Sequence, residues 1–237
     1  MGWNNLAGIN SISLPDLHEY HSRPTQQVVD FIRSVDKPII IWGASGKFMG
    51  DVTEMVLRVI QDSDQKGEIH LVKSPRSDTP FHERIKPYSF ATLHEIDLMR
   101  ATHQSFDSIP REGTVLYGAG NKFRKKDSSG QEEPLDAYIE KCQLFGVKIP
   151  DLVFHHHQYG CRIVVMGSFN GLKPSTVLQQ ALDDAVLEPT DTNYYGQSIK
   201  WKEETIKAVL EGAEGQSPSK AIILRGGWFT DGTYGGG

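Results

Sequence analysis

KPIIIWGASGKFMG, residues 37–50, decides the fold. Its IIIW core at 39–42 is a short run without a polar residue, closed by Pro38 on one side and Gly43 on the other. Such a run reads as a strand buried on both faces, the kind found inside a parallel sheet. The next segment, DVTEMVLRVIQD at 51–62, spaces Val52, Met55, Val56, Val59 and Ile60 along one helix face. The first unit is therefore strand, glycine turn, helix.

The same alternation runs outward from it. EIHLVKS (68–74), TLHEIDL (92–98), GTVLYGAG (113–120), CRIVVMGS (161–168) and KAIILRGGWF (220–229) read as strands, whereas EPLDAYIEKCQLFG (133–146) and NYYGQSIKWKEETIKAVLEG (193–212) read as helices. Strands alternating with helices predict an α/β fold, a doubly wound parallel sheet of the Rossmann type with helices on both faces and right-handed crossovers. Residues 37–237 form that domain. Residues 1–36 are an N-terminal helical extension, in which Thr25 is placed to cap a helix whose apolar side is Val28, Val29, Phe31 and Ile32.

Composition bounds the rest. A chain of 237 residues, 38% of them hydrophobic, can bury a large core. A net charge of -5 and a pI near 6.0 give no electrostatic reason to expect nucleic acid or an anionic membrane as partner, so a small molecule is expected. Two cysteines, Cys142 and Cys161, make no disulfide framework and no zinc pattern, and both read as reduced core residues. No apolar run spans a bilayer and MGWNNLAGINSISLP lacks the blocks of a signal peptide, so a cytoplasmic location is expected.

The glycine turn sits where a dinucleotide fingerprint belongs, between the first core strand and a helix. Glycines let a pyrophosphate approach the backbone, and the helix start offers N–H groups and partial positive charge. Gly43, Ser45, Gly46, Phe48, Met49 and Gly50 are the candidate contacts. An ordinary glycine-rich turn would read the same way, and the ends of later strands must separate the two. There Asp97 and Leu98 close the third strand, and Gly118, Ala119 and Gly120 close the fourth, small enough to leave room for ribose and nicotinamide. The second strand ends in LVKSPRS, without the acidic residue that binds a ribose 2′-OH but with Lys73 and Arg76, which tilts the choice toward NADP.

RIVVMGSFN (162–170) followed by EPTDTNYYGQSIKWKEETI (188–206) resembles the extended short-chain dehydrogenase/reductases, the NAD-dependent epimerase/dehydratase family. In that family a strand ending in Ser or Thr precedes a helix bearing Tyr-Gly-x-Ser-Lys. The likeness is closest to an atypical epimerase-like subgroup with a GAGGKMG turn and a G-x-K-F element after the fourth strand, here GASGKFMG and GNKF (120–123). The resemblance implies an NAD(P)-dependent epimerase, dehydratase or reductase acting on a nucleotide-sugar or similar carbonyl or alcohol. Ser168 then resembles the residue that holds the substrate oxygen, Tyr195 the acid/base, and Lys200 the residue that binds the nicotinamide ribose and lowers the tyrosine pKa. A phenol titrating near 10 needs such a neighbour to act as a base. The resemblance also implies a homodimer through the helices flanking the tyrosine.

Three departures keep a noncatalytic dinucleotide-binding protein open as an alternative. The third glycine comes one residue late, at Gly50, and Lys200 follows Tyr195 by five residues where the family has four. Five residues turn a helical side chain roughly 100° past the position that four would reach, leaving Lys202 as the fallback on the tyrosine's face. The chain also stops at TDGTYGGG, without most of the family's substrate lobe. An S-adenosylmethionine-dependent transferase ranks last, because it would want an acidic residue at the second strand's tip and has no use for Ser168 and Tyr195. His155, His156 and His157 are read as structural, since consecutive residues share no face. The basic cluster Lys122, Arg124, Lys125 and Lys126 reads as a solvated loop or, more sharply, as a phosphate contact.

Overall fold

The computed structural model describes residues 19–62, 68–75, 79–121, 124, 129–168, 187–213 and 217–226. Six parallel strands form one sheet: β1 (Ile39–Trp42), β2 (Ile69–Lys73), β3 (Ala91–Glu95), β4 (Gly113–Tyr117), β5 (Cys161–Ser168) and β6 (Lys220–Gly226). Their order is β3-β2-β1-β4-β5-β6. The chain winds outward from β1 to β3, then crosses back to lay β4 on the other side of β1. The sheet is doubly wound, and its winding reverses between β1 and β4, which opens a crevice at the carboxyl ends of those strands.

The helices are α1 (Gln26–Ser34), α2 (Lys47–Gln61), α3 (Thr79–Ile85), α4 (Leu135–Gln143), α5 (Ile149–His156) and α6 (Tyr194–Glu211). β1 is buried at all four positions because both faces are covered. Ile39 and Ile41 meet Val56, Leu57 and Ile60 of α2. Ile40 and Trp42 meet the opposite layer, where Ile149 and Val153 of α5 and Ile206 and Val209 of α6 pack on β4 and β5. Each such aliphatic side chain contributes about 1.5–3 kcal/mol by leaving water.

Thr25 caps α1, its side chain accepting from the Val28 amide. Ile32 is buried against the α2 layer, with Val28 and Val29 half-buried beside it. Phe31 departs from the expected apolar side and is 53% exposed. At 100° per residue it sits about a quarter-turn or more from the face that Val28, Val29 and Ile32 share.

The helix expected to end at Gly146 continues. A π turn at Leu144–Lys148 joins α4 to α5, which runs to His156. Pro150, in the first turn of α5, has no N–H for the carbonyl four residues back. That carbonyl, on Gly146, instead accepts from Thr205 Oγ1 of α6 at 3.4 Å. The two helices cross closely there: a Cβ on Gly146 would lie 3.0 Å from the Ser198 carbonyl oxygen.

His156 and His157 close α5 as structural residues. Trp42 Nε1 donates to His157 Nε2 at 3.0 Å, which leaves Nδ1–H to donate to the Arg111 carbonyl at 3.2 Å. Burial, with His156 beside it, pushes His157 down to about 3. Among the described residues no cluster of three or more His, Cys, Asp or Glu side chains is arranged to hold a metal ion, and both cysteines are free and buried. No described helix is long and apolar enough to cross a membrane.

Candidate functional site

At the end of β1 the Gly43 and Ala44 amides both donate to the Val72 carbonyl of β2, at 2.9 and 3.0 Å. Gly43 takes φ +76°, and a Cβ there would stand 2.9 Å from the Ala119 amide nitrogen. Only glycine fits this approach of the turn to the end of β4. α2 then starts at Lys47 with Gly46 as its N-cap, with no side-chain cap and no acidic residue in its first turn. Ser45 is half-buried, while Gly46 and Phe48 are exposed at the lip. Across the crevice Gly118 and Ala119 form the wall, and Gly120 opens onto space that a Cβ would not fill.

The late third glycine has a structural resolution. The seventh residue of the turn, counted from Gly43, is Met49, and its buried side chain lies against Gly118. A Cβ on Gly118 would fall 2.2 Å from Met49 Cγ, so the missing side chain has moved from the helix to the facing strand end. Gly50 itself is not needed for close approach, because a Cβ there would make only ordinary contacts, the nearest 3.5 Å from Arg84 Nη1. This Met49–Gly118 exchange is invisible in sequence, where the two residues stand far apart.

At the tip of β2 the Lys73 side chain is fully buried, its ammonium 3.0 Å from Glu95 of β3 and donating to the Ser74 carbonyl at 2.8 Å. Lys73 in turn holds the Glu95 carboxyl below its usual range. Its charge is thus already balanced. Arg76 lies outside the described residues, as do Lys122, Lys125 and Lys126. Asp97 is exposed and accepts from the Met99 amide at 3.1 Å, closing the turn after β3, with Leu98 half-buried beneath it.

Ser168 ends β5 and Tyr195 stands in the first turn of α6, which Asn193 caps by accepting from the Gly196 amide at 2.9 Å. The structure brings the two together. Burial raises the Tyr195 phenol above its ordinary value, and its hydrogen bond with Ser168 pulls the other way. Cys142 of α4, hydrogen-bonded to Tyr138, raises the same phenol further. In sequence Cys142 reads only as a core residue.

Lys200 is placed elsewhere. α6 runs without a bulge from Tyr194, so the extra residue turns Lys200 outward, with 39% of its side chain exposed and Nζ 3.9 Å from Glu204. The position four residues after Tyr195 is Ile199, which is buried. Lys202 points inward, its Nζ donating to the Met166 carbonyl at 2.8 Å, and burial pushes it down to about 8. Its partner is the β5 backbone, two residues before Ser168.

No family model matches the sequence, and no curated protein matches it. Solved structures do. The chain is similar to a yeast methylglyoxal/isovaleraldehyde reductase complexed with NADPH, at 13% identity and a TM-score of 0.56 over 80% of this chain and 57% of that one. A UDP-glucuronic acid 4-epimerase from Bacillus cereus in complex with NAD matches at 12% identity and a TM-score of 0.54, over 79% and 55%. A short-chain dehydrogenase/reductase from Vibrio parahaemolyticus matches at 18% identity and a TM-score of 0.51, over 81% and 84%. The fold is the Rossmann fold these proteins share. The chain spans little more than half the length of the reductase and the epimerase.

Proposed function

We propose that this chain binds NAD(P) across the β1–β4 crevice and, through Ser168 and Tyr195, acts as a reductase, epimerase or dehydratase on a carbonyl or alcohol of the nucleotide-sugar kind. The observation that carries the reading is the glycine cradle at the point where the sheet reverses. Gly43 is left-handed and closed against Ala119, and an α-helix starts four residues on with no side-chain cap on its amino end. That cradle fits a pyrophosphate. Bound there, NAD(P) supplies the hydride chemistry.

The chain's own residues supply orientation and a proton. Ser168 holds the substrate oxygen and Tyr195 gives or takes the proton at its Oη. With its pKa raised, Tyr195 stays a phenol at neutral pH, a state suited to protonating a carbonyl oxygen as it is reduced. A second reading, cofactor binding without turnover, is favoured by one observation: Ile199 occupies the helix position where the resemblance puts a lysine, and Lys200 turns outward, half-exposed beside Glu204.

Calorimetric titration with NAD and with NADP tests the proposal, repeated on Gly46→Asp. Aspartate is a favoured N-cap, so this variant keeps the fold while placing a carboxylate where the pyrophosphate would lie. Binding lost in the variant supports the site, and the tighter of the two nucleotides decides the NADP preference. Tyr195→Phe then separates the readings, removing turnover but not binding if the tyrosine is the acid. A folded chain that binds neither nucleotide overturns both.

A further inference from the structure

The two edges of the sheet are built differently. β3 is short and carries Thr92 and Glu95 at its surface, with Glu95 paired to Lys73 and His94 hydrogen-bonded to His70 of β2 at 2.9 Å. Charged, polar edges of this sort discourage pairing with another strand. β6, KAIILRG, is defended less: it runs for seven residues without proline and carries charge only towards its ends, at Lys220 and at Arg225, which pairs with Glu203. Among the described residues no strand pairs with its outer side. On one face Ile222 is 65% and Leu224 48% exposed. On the other, Ala221 and Ile223 join Leu187, Ile206 and Leu210 around an open groove of about 730 Å³ between β6 and α6.

We infer that this edge is an interface with a second copy of the chain, the two β6 strands pairing antiparallel about Ile223. The sequence is self-complementary in that register. Ile222 stands opposite the partner's Leu224 and Leu224 opposite the partner's Ile222, so four apolar side chains close over one another on the face they now expose. Lys220 meets the partner's Gly226 and Arg225 the partner's Ala221, so no like charges oppose. Directly opposed apolar pairs are the unit that stabilises an antiparallel ladder, and a two-fold axis through Ile223 closes the assembly at a dimer.

Sedimentation of the full chain over a dilution series tests this, beside Ile222→Lys/Leu224→Lys. Both side chains are exposed, so the variant retains the fold, as circular dichroism will show. The wild type is expected to dimerise, and the four lysines now facing one another across the axis weaken association about a hundredfold. Amide exchange in β6 should slow as wild-type concentration rises. A wild type that is monomeric throughout, with β6 exchange independent of concentration, overturns the inference and gives the edge to a segment of the same chain or to none. A dimer indifferent to both lysines also overturns it, and assigns the contact to another surface such as the α4–α6 helices.

Discussion

The glycine turn and the tyrosine helix each carry one residue too many against the family pattern, and the fold treats them oppositely. In the turn, Met49 stands where the third glycine would be, and Gly118 on the facing strand makes the room. In the helix, the extra residue turns Lys200 outward, half-exposed, Ile199 takes the buried position, and it is the Ser168 hydroxyl rather than a cation that draws the Tyr195 pKa down. Volume can be exchanged across an interface, because a missing Cβ on either side leaves the same space. Charge cannot be exchanged so simply, since a buried ammonium needs its own partners, and Lys202 has found them at Met166.

Acid sharpens the comparison most. His157 joins α5, on the tyrosine side, to Trp42 of β1. Its folded pKa of about 3 lies below the unfolded value of 6.5, so the unfolded chain takes up the proton first. The stability it contributes is whole above about pH 6.5 and drains as pH falls toward 3, on the order of 4 kcal/mol in all. His94 and His156 are shifted the same way by burial and add to the loss. Denaturation midpoints in urea at neutral pH and near pH 4 measure it, and a His157→Gln variant should flatten the dependence.

Gly43→Ala comes next. Its Cβ meets the Ala119 amide in a left-handed conformation, and the variant should lose about 2–3 kcal/mol together with nucleotide binding. A stable, binding-competent variant would remove the cradle from the argument.

Ile199→Lys restores the four-residue spacing. Placing an ammonium in that buried position should cost about 2 kcal/mol of stability in urea denaturation. The same ammonium should lower the Tyr195 pKa, read from phenolate absorbance against a Tyr195→Phe control. An unmoved titration would mean that the lysine was not what the helix lacked.

Gly118→Ala collides with Met49 and should destabilise by about 1–3 kcal/mol, with Met49→Ala in the same chain recovering most of the loss. Without recovery, the exchange of volume between the two sites is wrong. The smallest effects belong to the residues the family pattern stresses. Gly50→Ala and Lys200→Ala should each stay within about 0.5 kcal/mol, because the first makes ordinary contacts and the second is a solvated pair partner.

The architecture was legible because burial on both faces leaves its mark on the chain itself. IIIW reads as a buried parallel strand, IHLVK and GTVLY read as strands, and the alternation with helices implied a parallel sheet covered on both faces. Ser168 at a strand end and Tyr195 at a helix start were legible for the same reason, since each is placed by the element that bears it. Where the helix after residue 133 ended was not, because the π turn at Leu144–Lys148 carries the chain into α5 with Pro150 in its first turn, and the Gly146 carbonyl that Pro150 cannot serve accepts from Thr205 of α6.

By itself the sequence determined a doubly wound parallel sheet and the residues that end its strands, because period and composition are local properties, while the strand order and the point where the winding reverses came with the structure. Tertiary structure alone decided that Met49 trades space with Gly118, that Lys73 is neutralised by Glu95, and that of the two lysines after Tyr195 it is Lys202 that turns inward. Each of these depends on which distant backbone or side chain lies across a gap of a few ångströms, and spacing along one chain cannot carry that distance.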